Sequence, residues 1–368
     1  MPVFYRRLAI VWEMDPASAS LVRRAFAKFY STWNPEPVDR VSEREFGYVP
    51  MDGFMRRHMG FSSLEDAAKE IRRVSPLSAY MSNAFYERPS DQPMEAKGWI
   101  GTQLDMDIDA DHVESDCRDG HDATVCVSCF ATLSKGARSC GCGSKNVKEI
   151  HWFCKVCLGR TKDHARRAVD YLVSDFGVDR SAISLYFSGN RGYHVHVDDG
   201  RFVKLGSLAR NEISDYMIGN GLALSVKMLS GGSSGGWYGR VMQAYNPKER
   251  KAGVMLPGRE IVKGLNVEVD PSVTNDIHRI LRMPNTLHGS SGMLKLRVDD
   301  LAAFDPFTAP VAIDDEIVSV DVKFSPALEM RGKKFGPYGP GGESGAVSVP
   351  KYAAVYLILK GLATAATA

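Results

Sequence analysis

Residues 104–111 read Leu-Asp-Met-Asp-Ile-Asp-Ala-Asp. A period of two puts Leu104, Met106 and Ile108 on one face and Asp105, Asp107 and Asp109 on the other, as in a strand with one buried side. Like charges stacked along one strand repel, and a bound cation is the usual compensation. Two carboxylates two residues apart point the same way and can bridge a pair of hard divalent ions. The same pattern also describes the solvated face of an edge strand. Alternation alone does not choose between Asp105 with Asp107 and Asp107 with Asp109, because all three share a face.

Working outward, Ile183–Phe187, the turn Ser188-Gly-Asn-Arg-Gly192 and Tyr193–Val197 read as a hairpin with His194 and His196 on one face. Asn266-Val-Glu-Val-Asp270 is a second alternating strand, apolar on one side and acidic on the other. Helical spacing predicts an amphipathic helix through Ala165, Ala168, Val169, Leu172, Val173 and Phe176, closed by Gly177. An earlier helix starts at Asp15-Pro16, an N-cap followed by proline, and carries Leu21, Val22, Ala25, Phe26 and Phe29. The stretch 205–256 is weakly helical, broken by Gly and Ser at 230–236; 276–282 suits a short helix stopped by Pro284, and 293–298 a strand. Residues 332–346 read as a Gly/Pro-rich linker before a last apolar helix over 351–363.

The 368 residues carry a net charge of +2, with 44% hydrophobic and 24% charged residues, which excludes disorder for most of the chain. A nucleic-acid partner must then meet a local basic patch. Even the apolar run Tyr352–Leu359 is cut short by Lys360, and the first residues lack a long apolar stretch with a cleavage site, so a cytoplasmic protein is expected.

All seven cysteines fall between Cys117 and Cys157. In a reducing compartment such density points to metal thiolates. With His121 the donors make two sets of four, Cys117, His121, Cys126, Cys129, Cys140, Cys142, Cys154 and Cys157, enough for two closed tetrahedral zinc sites.

Two further segments are competent for phosphate. Ser188-Gly-Asn-Arg-Gly-Tyr-His194 combines a tight turn with a hydroxyl, a guanidinium fork and an imidazole, while Arg279, Arg282 and His288 gather around Arg-Met-Pro-Asn-Thr-Leu-His-Gly. Acids for divalent ions plus a cationic cradle are what nucleotidyl transfer requires.

In order and spacing, Arg44-Glu-Phe-Gly, Asp107-Ile-Asp-Ala-Asp-His112, Ser188-Gly-Asn-Arg-Gly-Tyr-His194 and Arg282-Met-Pro-Asn-Thr-Leu-His288-Gly resemble the small catalytic subunit of archaeal and eukaryotic DNA primases. The resemblance runs over nearly the whole chain. It implies an α/β fold with an RNA-recognition-like catalytic sheet, a zinc-binding insertion and an adjoining helical part. It also implies two Mg²⁺ or Mn²⁺ ions on Asp107, Asp109 and a third aspartate, Asp270, with Glu268 the competitor. Ser188, Arg191, His194, Arg282 and His288 would bind the incoming triphosphate, with Arg57 helping to hold nucleotide or template. Because the family's last Cys-x-x-Cys leads into the helix after its knuckle, the resemblance favours a nested arrangement. Cys117, His121, Cys154 and Cys157 then form a knuckle, and Cys126, Cys129, Cys140 and Cys142 an inserted ribbon. The sequential pairing, 117/121/126/129 with 140/142/154/157, stays open.

The implied division is 1–116, 158–204 and 257–330 as three parts of a catalytic domain, 117–157 as the zinc insertion, 205–256 as a helical subdomain, 331–350 as linker and 351–368 as helix and tail. The implied activity is synthesis of short RNA primers, with DNA synthesis as a further capacity, on single-stranded DNA. The implied partners are a large primase subunit, template and primer, and ribo- and deoxyribonucleoside triphosphates, in a nucleoid-associated cytoplasmic protein. Two other functions fit parts of the pattern: a primase-polymerase of gap filling, and a noncatalytic zinc-ribbon protein that binds nucleic acid.

Overall fold

Two four-stranded antiparallel sheets carry most of the residues singled out above. In the computed structural model, residues 14–152, 154–222, 235–244, 258–339 and 345–366 are described. The first sheet runs in the order Ile280–Arg282, Ser78–Ser82, Phe46–Val49, Arg56–Met59. The second runs Leu296–Arg297, Ile183–Phe187, Gly192–Val197, Leu104–Asp109.

The acidic strand Leu104–Asp109 is the edge of the second sheet, antiparallel to Gly192–Val197, with Asp109 opposite Gly192, Asp107 opposite His194 and Asp105 opposite His196. Leu104, Met106 and Ile108 are fully buried in the core that also takes in Ala165, Ala168 and Leu172. These belong to the helix Lys155–Ser174, which packs across both strands. Each such apolar side chain contributes about 1.5–3 kcal/mol by leaving water. The alternation at 104–109 thus fixes which face holds the acids.

The pairing is close at Gly192, where an added Cβ would lie 2.5 Å from the Ile108 carbonyl oxygen and 3.1 Å from the Asp109 Cα. Neither backbone atom can yield without opening the ladder. Gly192→Ala is therefore expected to cost about 2–3 kcal/mol, measured as a lower urea midpoint. A loss below about 0.5 kcal/mol would contradict this register.

The first helix spans Pro16–Ser31, with the Asp15 side chain accepting from the Ser18 amide at 2.9 Å. Its far end reaches the phosphate-competent segment: the Tyr30 hydroxyl accepts from the Leu287 amide (3.2 Å) and Trp33 Nε1 donates to the Asn285 carbonyl (2.6 Å). A third sheet, Ala346–Pro350, Ile317–Val322, Ala363–Ala365, pairs around the buried helix Lys351–Leu359. A small sheet, Thr132–Leu133, Ala123–Cys126, Val147–Ile150, carries the cysteine segment. The fold is mixed α/β, as expected.

Several local expectations are corrected. Residues 280–282 form a strand rather than the end of a helix, because Leu281 and its neighbours complete the first sheet beside Ser78–Ser82. Residues 266–270 form no strand, the Val269 amide donating to the Val267 carbonyl at 3.0 Å within the segment, and 293–298 is strand only at Leu296–Arg297. The predicted linker begins with the strand Lys333–Phe335, paired with Leu328–Met330 before it, and the last helix stops at Leu359 before Gly361 turns the chain with φ +71°. The helix read from Ala165 onward starts ten residues earlier, at Lys155, and ends at Ser174. Within 205–256, Ser207–Ile218 and Gly236–Ala244 are helical, while 223–234 and 245–256 lie outside the described residues.

Candidate active site

Asp107 and Asp109 stand side by side on the open face of the second sheet, facing the hairpin strand. His194 Nε2 lies 3.4 Å from Asp107 Oδ1, and Arg191 Nε lies 3.0 Å from Asp109 Oδ1, with its other arm on Asp111. The segment after Leu265 brings in the third acid, because the Asp270 amide donates to the Asp107 carbonyl at 2.8 Å. Glu268 is engaged elsewhere: its amide donates to His164 Nδ1 and its carboxylate accepts from Asn266.

Burial pushes the Asp107 carboxyl up to about 7, reinforced by the charges of Asp109 and Asp270, while Arg282 and Arg279 draw it the other way. An unfolded aspartate ionises near 3.8, so between about pH 4 and 7 the folded chain holds a proton that the unfolded chain has lost. The Asp107 contribution to the stability of the metal-free fold therefore falls as pH rises through this window, by up to about 4 kcal/mol, while the depressed His194 and His288 contribute in the opposite sense. Asp107→Asn removes the Asp107 contribution alone: without added divalent ions, the change in its Tm from pH 5 to pH 8 should be more positive than that of wild type by several degrees. An equal change in both proteins would contradict the carboxylate cluster as the source.

The cationic groups converge on the same turn. Ser188 Oγ accepts from the Gly192 amide (3.1 Å) and closes the hairpin, while the Ser188 carbonyl accepts from Arg282 Nε (3.1 Å). Arg282, on the first sheet, thereby joins the two sheets at the turn. His288 is buried, with Nδ1 accepting from the Ser290 amide (3.0 Å), which leaves Nε2 to carry the proton. Burial, followed by nearby cations, holds both His194 and His288 well below the usual histidine range, so both rings are neutral. The buried Nδ1 of His194 has no hydrogen-bond partner among the described residues. Arg57 sits on the first sheet, its Nε donating to Glu45 Oε1 at 2.7 Å, with Lys97 3.4 Å from the other Glu45 oxygen.

Asp105 differs from the other two acids on its strand. Only 5% exposed, it accepts from Asn83 Nδ2 and from His196 Nδ1, and His196 Nε2 in turn accepts from Lys295 Nζ at 2.8 Å. Lys295 also donates to the Arg282 carbonyl (2.9 Å), and burial pushes its ammonium down to about 7. This network ties the acidic strand to the Arg282 strand. Sequence reading missed Asn83 and Lys295. The one available signal was a lysine between Leu294 and Leu296, next to a strand too short to look amphipathic.

The cysteines gather in two groups whose ligand atoms all lie within 4.8 Å of one another: Cys117, His121, Cys154 and Cys157, and Cys126, Cys129, Cys140 and Cys142. This is the nested grouping. In the first, His121 Nε2 is 3.0 Å from Cys157 Sγ, and Nδ1 is 3.0 Å from Asp122, which fixes the ring as second carboxylates do around metals. In the second, Cys126 faces Cys142 at 3.7 Å and Cys129 faces Cys140 at 3.6 Å. His151 pairs with Asp122 (3.2 Å) and belongs to neither group.

Comparison with known proteins gives the same direction. A family model described as DNA primase small subunit matches residues 143–300. The DNA primase small subunit of Cenarchaeum symbiosum is 35% identical over 374 residues, covering 94% of this chain and 98% of that protein. The chain belongs to the DNA primase small subunit family. The small subunit of Nitrosopumilus maritimus is 30% identical over 96% of this chain and all of that protein, and that of Thermoplasma acidophilum 34% identical over 77% and 81%. The polymerase domain of Mycobacterium tuberculosis ligase D aligns with a TM-score of 0.36 and 11% identity over 77% of this chain and 81% of that one, too distant to carry an argument. As a member of this primase family the chain is a catalytic subunit, a nucleotidyltransferase. Among the described residues no helix is long and apolar enough to cross a membrane.

Proposed function

We propose that the chain makes short RNA primers, and extends them with deoxyribonucleotides, on single-stranded DNA, with Asp107, Asp109 and Asp270 holding two Mg²⁺ or Mn²⁺ ions. The reading rests on one observation: two strand carboxylates and the Asp270 segment meet at the mouth of a turn lined by Ser188, Arg191, His194, Arg282 and His288. The donor set fits hard cations, since a carboxyl held up to about 7 by burial and its neighbours' charges is relieved by a divalent ion. Arg191, paired with Asp109, occupies that role by charge in the metal-free chain. Among the described residues the three carboxylates do not converge within 4.8 Å as the thiolate groups do, so they would hold the ions from separate positions. When bound, the ions acidify the attacking 3′-hydroxyl and offset charge on the departing pyrophosphate.

The chain's own groups do the rest. Arg282, fixed by the Ser188 carbonyl, presents its remaining N–H groups to the triphosphate, and Arg191, now paired with Asp109 in the same turn, would offer its fork to the same anion. Neutral His288 donates from Nε2, and neutral His194 beside Asp107 donates to a phosphate oxygen without competing with the ions for the carboxylate. Arg57, held by Glu45, steadies nucleotide or template from the first sheet. Both cysteine groups bind structural Zn²⁺: four protein ligands apiece leave no open position. A large primase subunit is the expected partner, in the cytoplasm at the nucleoid. The domain division given under Sequence analysis is part of the same proposal.

The test is nucleotide incorporation on single-stranded DNA, unprimed and primed, with Mg²⁺ or Mn²⁺ and both sugar classes of triphosphate. Unprimed, metal-dependent product supports primer synthesis. Extension of primers alone favours the gap-filling enzyme, and no incorporation under any condition overturns the reading.

A further inference from the structure

Lys295 follows the Arg282–His288 motif, beside the short strand Leu296–Arg297, and is buried. It grips the motif in two ways. Its backbone pairs with the middle of it, the amide donating to the Thr286 carbonyl (3.0 Å) and the carbonyl accepting from the Asn285 amide (2.8 Å). Its ammonium reaches back to the start, donating to the Arg282 carbonyl at 2.9 Å. The same Nζ lies 2.8 Å from His196 Nε2 and 4.9 Å from the centre of the Tyr186 ring, and His196 Nδ1 donates in turn to Asp105 on the acidic strand.

Arg282 is thereby held at both ends. Its side-chain Nε is on the Ser188 carbonyl in the turn, and its backbone carbonyl is on Lys295. A guanidinium fixed at Nε and at its own backbone has little freedom left in where its terminal N–H groups point, and such preorganisation is what accurate substrate placement requires. The two attachments come from different directions across the join between the sheets. Arg282 ends a strand of the first sheet, paired with Ser78–Ser82, whereas Asp105 and His196 face each other in the second. An apolar side chain of similar length would fill this interior without the cost of burying an ammonium. What the lysine adds is direction: two hydrogen bonds that lock the Arg282 backbone to the strand next to the acids.

We propose that Lys295 is a positioning residue for nucleotide binding: by holding the Arg282 carbonyl against His196, it sets where the Arg282 guanidinium meets the triphosphate. This rests on the reading of Arg282 as a triphosphate ligand. Lys295 acts through Arg282 and itself contacts neither the nucleotide nor the ions.

The test is steady-state extension of a primed template by the zinc-loaded chain at saturating Mn²⁺, comparing wild type, Lys295→Met, Arg282→Ala and the double variant. Circular dichroism establishes folding, and Lys295→Gln, which keeps a shorter donor, replaces Lys295→Met should that variant not fold. Arg282→Ala is expected to raise the nucleotide KM about thirtyfold and Lys295→Met about tenfold, the latter with kcat and template affinity within about threefold of wild type. Inhibition by pyrophosphate should weaken in parallel. Because Lys295 acts through Arg282, the double variant should stay within about twofold of Arg282→Ala alone, where independent contacts would multiply. A folded Lys295 variant with KM within about twofold of wild type overturns the proposal, as does a double variant in which the two effects multiply. Failure of both Lys295 variants to fold also overturns it, since the residue would then serve the fold alone. If Arg282→Ala raises KM while the folded Lys295 variant does not, only this inference falls. If Arg282→Ala leaves KM unchanged, the reading of Arg282 as a triphosphate ligand falls with it.

Discussion

Asp109→Asn is expected to slow nucleotide addition by about three orders of magnitude while leaving template binding and the fold intact. The substitution keeps the shape of the side chain at a half-buried strand position and removes a charge that the proposed pair of divalent ions would need, and about 4 kcal/mol of lost transition-state stabilisation is a thousandfold in rate. It also releases Arg191, whose fork now spans Asp109 and Asp111. Asp107→Asn should behave alike. Asp105→Asn should not: its carboxylate accepts from Asn83 and His196, so an amide there disrupts a buried network at a cost of about 2–3 kcal/mol in stability. The activity of the Asp105 variant, assayed at low temperature where it stays folded, should remain within about tenfold of wild type. Single-turnover incorporation with each variant separates the two registers. A folded, active Asp109→Asn beside a folded, inactive Asp105→Asn would assign the ions to the other pair.

The second large effect concerns the two cysteine groups, which should respond unequally. Cys157 is buried in the first turn of the helix Lys155–Ser174, and that helix packs under the strands bearing Asp107 and His194. Cys157→Ala breaks the Cys117, His121, Cys154, Cys157 group at the point where it joins the core. A structural zinc site supplies folding free energy directly, so the variant is expected to lose one zinc, fall in Tm by ten degrees or more and lose most activity. Cys129 is exposed, in a ribbon whose sheet is separate from the catalytic one. Cys129→Ser should also lose one zinc but keep Tm within a few degrees and activity within a few-fold. Zinc content by elemental analysis, paired with thermal melts, checks both; equal effects would contradict the nested grouping.

How far the sequence could be read depended on the range of the forces involved. The acidic strand and the hairpin were legible because alternation is a local property and both strands have one buried face. The short helix expected at 276–282 failed for the opposite reason. Residues 280–282 owe their strand to hydrogen bonds with Ser78–Ser82, about 200 positions away, and a non-local partner overrides a weak local period. Asp270 came from the resemblance, and its position depends on one backbone bond to Asp107 that no pattern announces. Alternation left Asp105 indistinguishable from Asp107 and Asp109, since what separates them is the burial of Asn83, His196 and Lys295 around one end of the strand. The cysteine spacing revealed two four-ligand sets but not their pairing, which depends on the small sheet Ala123–Cys126 and Val147–Ile150 folding Cys154 back toward Cys117.

The central claim is that Asp107, Asp109 and Asp270 together hold the ions of the reaction. Its most direct measurement is the number of Mn²⁺ ions bound per zinc-loaded chain, counted by electron paramagnetic resonance with a non-hydrolysable nucleoside triphosphate analogue present. Two ions are predicted for wild type, with at least one lost in Asp270→Asn and both weakened in Asp109→Asn. Two ions bound with unchanged affinity in all three proteins would contradict the assignment.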